Sequence, residues 1–127
     1  MREILFRGII KSDNSRYKRG QWAVGDLVRL QDGEDGKPHI YGCGEVFAET
    51  VGQYTGLTDK NGKKIFEGDI VNIYYPKVKV ENTVISYIGA SFYGDRFDDA
   101  WELDNYYQLE VIGNIHDNPE LLKERDN

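Results

Sequence analysis

The chain has 127 residues, with 16 Lys+Arg against 22 Asp+Glu, a formal charge of −6 and 39% hydrophobic residues. That length suits one compact domain, or two very small ones sharing a core, and it buries roughly two-thirds of its unfolded surface without help from a disulfide or metal. Cys43 is the only cysteine, which excludes an intramolecular disulfide and a Cys-rich zinc site, and the acidic balance opposes a general grip on nucleic acid, where Lys and Arg must displace counterions.

The opening Met1-Arg2-Glu3-Ile4-Leu5-Phe6-Arg7 lacks the ~7–15 apolar residues of a signal peptide, and no run approaches the ~20 of a membrane span. The expectation is a cytoplasmic protein with no membrane partner. Residues 2–11 read as a first strand with Ile4, Phe6 and Ile10 on one face, followed by a polar loop over 12–20. A strand over 22–30 is interrupted at Gly25-Asp26. Residues 31–38 form a Gly/Asp-rich turn, and 39–48 are expected to be extended.

In the centre, Asn61-Gly62 predicts a type I′ hairpin, which needs positive φ at both positions. Tyr54, Leu57, Ile65, Phe66, Ile70 and Val71 are candidate core residues. Val71, Ile73 and Tyr75 alternate on one face until Pro76. Good strand formers fill 78–88, the acidic stretch 95–104 reads as a loop or helical turn, and 106–115 alternates with Tyr107, Leu109, Val111, Gly113 and Ile115 on one face. Asn118-Pro119-Glu120 predicts the capped start of a short terminal helix. The fold class is therefore all-β and mainly antiparallel, a small SH3-like barrel or two barrel-like lobes, with a short C-terminal α-helix. Gly25-Asp26-Leu27-Val28 and Gly68-Asp69-Ile70-Val71 echo each other; if the echo is structural, sub-lobes fall at about 1–48 and 49–127 of a unit spanning 1–127.

Three segments carry a resemblance. Thr50-Val51-Gly52-Gln53-Tyr54-Thr55-Gly56-Leu57, with Asp59-Lys60-Asn61-Gly62-Lys63 and Ile65-Phe66-Glu67-Gly68-Asp69-Ile70-Val71, resembles the central signature of the YopX family. Glu110 to Leu122, including Gly113, Asn114, Asn118 and Pro119, resembles its closing motif, and Arg2 to Arg7 fits its opening. The resemblance implies a β-rich protein of a bacteriophage or prophage, mainly from Gram-positive bacteria, with self-association of members. It supplies no catalytic residue and no cofactor. Segments 31–48 and 76–105 follow the pattern only loosely.

The residues themselves point to no catalyst. Ser12, Ser15, Ser86 and Ser91 lie in no Gly-x-Ser-x-Gly elbow, and His39 and Cys43 are separated by an extended-looking stretch. His39, Cys43, His116 and Asp117 lack metal-ligand spacing. Asp95, Asp98, Asp99, Glu102 and Asp104 lack the order of a calcium loop and form a candidate interaction surface instead. Signature Gly, Asp and Thr residues serve turns and backbone capping. The expected function is a non-catalytic protein-interaction or self-assembling domain, its partner itself or a host or phage protein. The alternative is a small nucleic-acid-binding barrel, using Tyr74, Tyr75, Tyr106 and Tyr107 flanked by Lys60, Lys63, Lys64, Lys77 and Lys79. A Cys43/His39 hydrolase is a third reading.

Overall fold

A computed structural model of the chain describes residues 4–29, 37–74, 79–88, 91–96, 99–102 and 108–124. Among these the backbone forms mostly antiparallel β-structure in three sheets, including a curled half-barrel, and one short C-terminal helix. The chain divides into two compact units, Met1–Tyr54 and Thr55–Asn127.

In the first unit, β1 (Phe6–Ile9) pairs with β2 (Trp22–Gly25), while β3 (Leu27–Arg29), β4 (Pro38–Ile40) and β5 (Gly44–Glu45) make a separate three-stranded sheet. A single 3-10 turn at Ala48–Thr50 precedes β6 (Gly52–Thr58), whose start pairs with β1 through Phe6↔Gln53 and Arg7↔Gly52. Ile10, Ala23, Ile40 and Val46 form the core, covered by Phe6, Tyr17, Leu27, Cys43 and Val51. The expected face of the first strand holds only in part: Ile10 is buried, but Ile4 lies before β1 and is 63% exposed. The segment 39–48 is not one extended run. Gly42 (φ +76°) lets the chain reverse, and the Cys43 N–H closes the turn on the Ile40 carbonyl. The polar loop is built by its own side chains. Asn14 Oδ1 accepts the N–H groups of Arg16 and Tyr17, and Asp13 Oδ1 accepts that of Arg19.

In the second unit, β6 ends beside β7 (Lys64–Phe66). β8 (Asp69–Tyr74), β9 (Lys79–Ile88), β10 (Ser91–Arg96), β11 (Asp99–Glu102) and β12 (Gln108–Asn114) form a sheet in the order β11-β10-β9-β8-β12, and α1 (Glu120–Glu124) follows. Ile65, Val71, Ile73, Ile85 and Leu109 make the core. β8 departs from the expected alternation in that Ile70, on the opposite face from Val71 and Ile73, is buried as well. Tyr75 lies outside the described residues. The stretch 95–104 is not helical where described. Arg96 and Asp99 face each other in a β10–β11 ladder, whose backbone bonds come from pairing that the acidic sequence does not advertise.

The register slips between Val71 and Ile73 on β8 and between Val111 and Gly113 on β12. Such bulges add local twist and bend a sheet toward a curl. At the first of them Asn82 takes φ +54°, uncommon for a residue with a Cβ. Its N–H reaches Asn72 Oδ1, and its Nδ2 donates to the Leu121 carbonyl, tying the terminal helix to β9. Beside it, Thr83 is fully buried and its hydroxyl has no hydrogen-bond partner among the described residues. Thr83→Val, close in shape, therefore raises stability by about 1 kcal/mol. A urea midpoint below that of the wild type rejects this expectation.

The two Gly-Asp segments both lead into strands, one in each unit, but their local geometry differs. Gly68 adopts φ +90° and Asp69 is buried, its Oδ2 accepting the Phe66 N–H at 2.8 Å. Asp26 is exposed, and its carbonyl accepts the Tyr41 N–H.

Candidate functional site

The central signature converges on Asp59, which is only 6% exposed. The carboxylate Oδ1 accepts the N–H groups of Asn61 and Lys63, both at 2.9 Å, and Oδ2 accepts the Val111 N–H at 3.0 Å. One side chain thus shapes the β6–β7 turn and fastens it to β12. Burial pushes its carboxyl up, but the three N–H donors and the Lys63 charge outweigh burial and hold it below the ordinary value. The hairpin forms where Asn61-Gly62 predicts it, with a different turn. Only Gly62 has positive φ (+83°), and the bonds Gly62 N–H to Asp59 O and Asp59 N–H to Lys63 O close a longer loop. Asp59 draws Lys60 into this loop, which then spans residues 60–62 and is one residue longer than a two-residue I′ turn.

The other signature residues also engage backbone. Thr55 Oγ1 donates to the Ile65 carbonyl at 2.8 Å and accepts the Leu57 N–H. Gly56 (φ +89°) bends β6, Gly52 and Gln53 pair with β1, and Tyr54 is buried. Glu67 and Gly68 form the β7–β8 turn, whose Gly68 N–H reaches the Ile85 carbonyl. In the closing motif, Asn114 Oδ1 accepts the N–H groups of His116 and Asp117. Asn118 does not cap the helix with its side chain as expected; its Oδ1 turns back to the Asn114 N–H at 3.2 Å, and its carbonyl receives the Leu121 N–H. Gly113 makes room for this: a Cβ there would lie 2.5 Å from Asn118 Oδ1. Pro119 fits the same turn, its carbonyl accepting the Leu122 N–H.

The described part of the acidic run spans two paired strands, with Asp95 opposite Ala100. Asp95 falls in β10, and Asp99 and Glu102 fall in β11, which ends the five-stranded sheet. Asp98 and Asp104 lie outside the described residues. Of the tyrosine–lysine group, the structure gathers Tyr74, Lys60 and Lys79. The two ammonium groups sit 4.7 and 5.6 Å from the Tyr74 ring. Both also meet carboxylates, Lys60 with Glu110 at 3.7 Å and Lys79 with Glu81 at 3.4 Å. The Tyr74 hydroxyl donates to Glu110 at 2.7 Å and, with the Lys60 charge, keeps that carboxyl below its ordinary value. The bond to Glu81 holds the Lys79 ammonium above its ordinary value. Lys63 and Lys64 are exposed, while Tyr75, Lys77, Tyr106 and Tyr107 fall outside the described residues.

Cys43 packs against the first core, and its thiol donates to the Tyr17 hydroxyl at 3.5 Å. His39 Nδ1 donates to the Lys37 carbonyl at 3.0 Å. Neither contact sets a base beside a nucleophile. Both residues nevertheless line one pocket of about 400 Å³ in the first unit, together with Asn14, Arg16, Val28 and Tyr41. Sequence reasoning missed Arg16 and Tyr41, because no spacing connects the 12–20 loop to the β4–β5 turn. Among the described residues no three His, Cys, Asp or Glu side chains come together as a metal site, and no helix is long and apolar enough to cross a membrane.

The model of a protein family described as YopX protein matches residues 6–123, which contain both the signature around Asp59 and the Gly113–Asn118 turn. No curated protein matches the chain.

Proposed function

We propose that this chain, which belongs to the YopX family, is a phage or prophage accessory protein that acts without catalysis, by binding another protein. The observation that supports this reading is the edge of the five-stranded sheet, where β11 has β10 on one side and no further strand on the other among the described residues. An edge strand offers unpaired N–H and C=O groups that an added strand completes. Asp99 and Glu102 stand in this strand, next to a ladder that contains Asp95. Two copies pairing edge to edge would bring like charges together, which destabilises a sheet. The complementary occupant is an extended Lys/Arg-rich segment of a host or phage protein.

The nucleic-acid alternative has the Tyr74 cluster in its favour, but each lysine there already meets a carboxylate. Capture from infected cells, with the wild type beside an Asp99→Lys/Glu102→Lys variant, separates the readings. A protein retained by the wild type, released by salt and lost from the folded double variant is the expected result. Identical captured sets overturn the reading. A dimer in light scattering that persists in the variant points to self-association elsewhere. Salt-sensitive binding of single-stranded DNA by both forms favours the nucleic-acid alternative.

A further inference from the structure

We propose that the pocket of the first unit binds a small anion carried on a planar, apolar body. The pocket's volume of about 400 Å³ falls within the ~300–1,000 Å³ of small-molecule sites. Its lining grades from apolar to charged. Among its lining residues Ile40 is 1% exposed and Val28 half-buried, whereas Arg16 and Tyr41 are exposed. The protein carries −6, yet no carboxylate lines this pocket among the described residues, while one guanidinium does. A guanidinium keeps its charge and offers a fork of donors suited to carboxylate or phosphate.

The fork is oriented before any ligand arrives. Arg16 Nη1 donates to the Gly42 carbonyl at 3.1 Å, and among the described residues its other N–H groups remain for a second acceptor. The two walls are tied together by a further bond, Asn14 Nδ2 to the Cys43 carbonyl at 2.8 Å. Gly44 (φ +135°) permits that approach, since a Cβ there would lie 2.6 Å from Asn14 Nδ2. Pre-ordering of this kind lowers the entropic cost of binding. Tyr41, 73% exposed, is the most exposed large apolar side chain among the described residues, and it lines the same pocket as Arg16. A ring in the ligand would cover it while the anion meets Arg16.

Cys43 is the only cysteine and lines the pocket, so its alkylation by the neutral reagent iodoacetamide reports occupancy at this place alone. Phenyl phosphate is the probe, with inorganic phosphate and phenol as its two halves. Phenyl phosphate slows alkylation saturably, and each half protects at least about ten-fold less effectively. Arg16→Gln keeps an N–H for the Gly42 carbonyl but removes the charge, and it weakens protection about ten-fold. Tyr41→Ser weakens it as well and leaves the loop bonds in place. Circular dichroism checks that both variants are folded. Absence of protection in the wild type, or equal protection in Arg16→Gln, overturns the proposal.

Discussion

Asp59→Ala lowers the unfolding free energy by about 3–5 kcal/mol, read from denaturant midpoints. The magnitude follows from the geometry. The N–H groups of Asn61, Lys63 and Val111 all lose their acceptor at once, in a site that is 6% exposed. Each buried N–H left unmade costs about 1–3 kcal/mol, less what entering water recovers. Asp59→Asn has a smaller effect, about 2 kcal/mol, because the amide keeps one oxygen acceptor but offers an NH₂ group where a second acceptor stood. Acid reveals the same site. The folded-state carboxyl lies below its ordinary value of 3.8, so its contribution is complete above that value and is lost as the pH falls through the lower folded-state one. The wild-type midpoint therefore drops more steeply between about pH 5 and pH 2 than that of Asp59→Asn. A loss below about 1 kcal/mol in Asp59→Ala shows instead that water replaces the carboxylate.

Gly8→Ala destabilises the first unit by about 2–3 kcal/mol. A methyl group there would stand 2.8 Å from both Cβ and Cγ2 of Val46. Val46 is 1% exposed and packs with Ile10, Ala23 and Ile40. Its Cβ cannot swing away as the end of a long side chain would. Backbone holds it too, through the Val46 N–H to the Pro38 carbonyl and the Ile10↔Val46 bridge. The double variant Gly8→Ala/Val46→Ala loses less than the sum of the two single variants, because removing the Cγ atoms relieves the Cγ2 contact while the Cβ contact stays. Additive losses in that double variant show that the two residues do not compete for it.

Much of the strand inventory is legible in residue order. Turn residues between apolar runs mark β2, β3, β6, β8 and β12, and the break at Gly25-Asp26 separates β2 from β3. The misreadings have physical causes. At 39–48 the alternation of apolar residues hides a reversal made by Gly42. In β8 every residue from Asp69 to Ile73 is buried, so both faces are covered and no period of two survives. At 91–96 and 99–102, pairing of β10 with β9 and of β11 with β10 gives strand geometry to a sequence rich in Asp. Asn118 reads as a helix cap by type and position, but a glycine five residues earlier gives its amide a nearer partner.

By itself the sequence determined the composition limits: one thiol, an excess of carboxylates, and glycines with Asp and Asn at turn spacing. Those are local properties, and they were enough for the all-β class and the family. Tertiary structure alone decided what each polar group meets. Asp59 and Val111 are 52 positions apart, and Arg16 and Gly42 are 26 apart, yet each pair shares a hydrogen bond. Such contacts depend on strand register and turn closure, so no local pattern encodes them. The net charge of −6 likewise says nothing of the guanidinium-bearing pocket beside Cys43, because charge sums over a chain whereas a ligand meets only the groups that folding gathers around it.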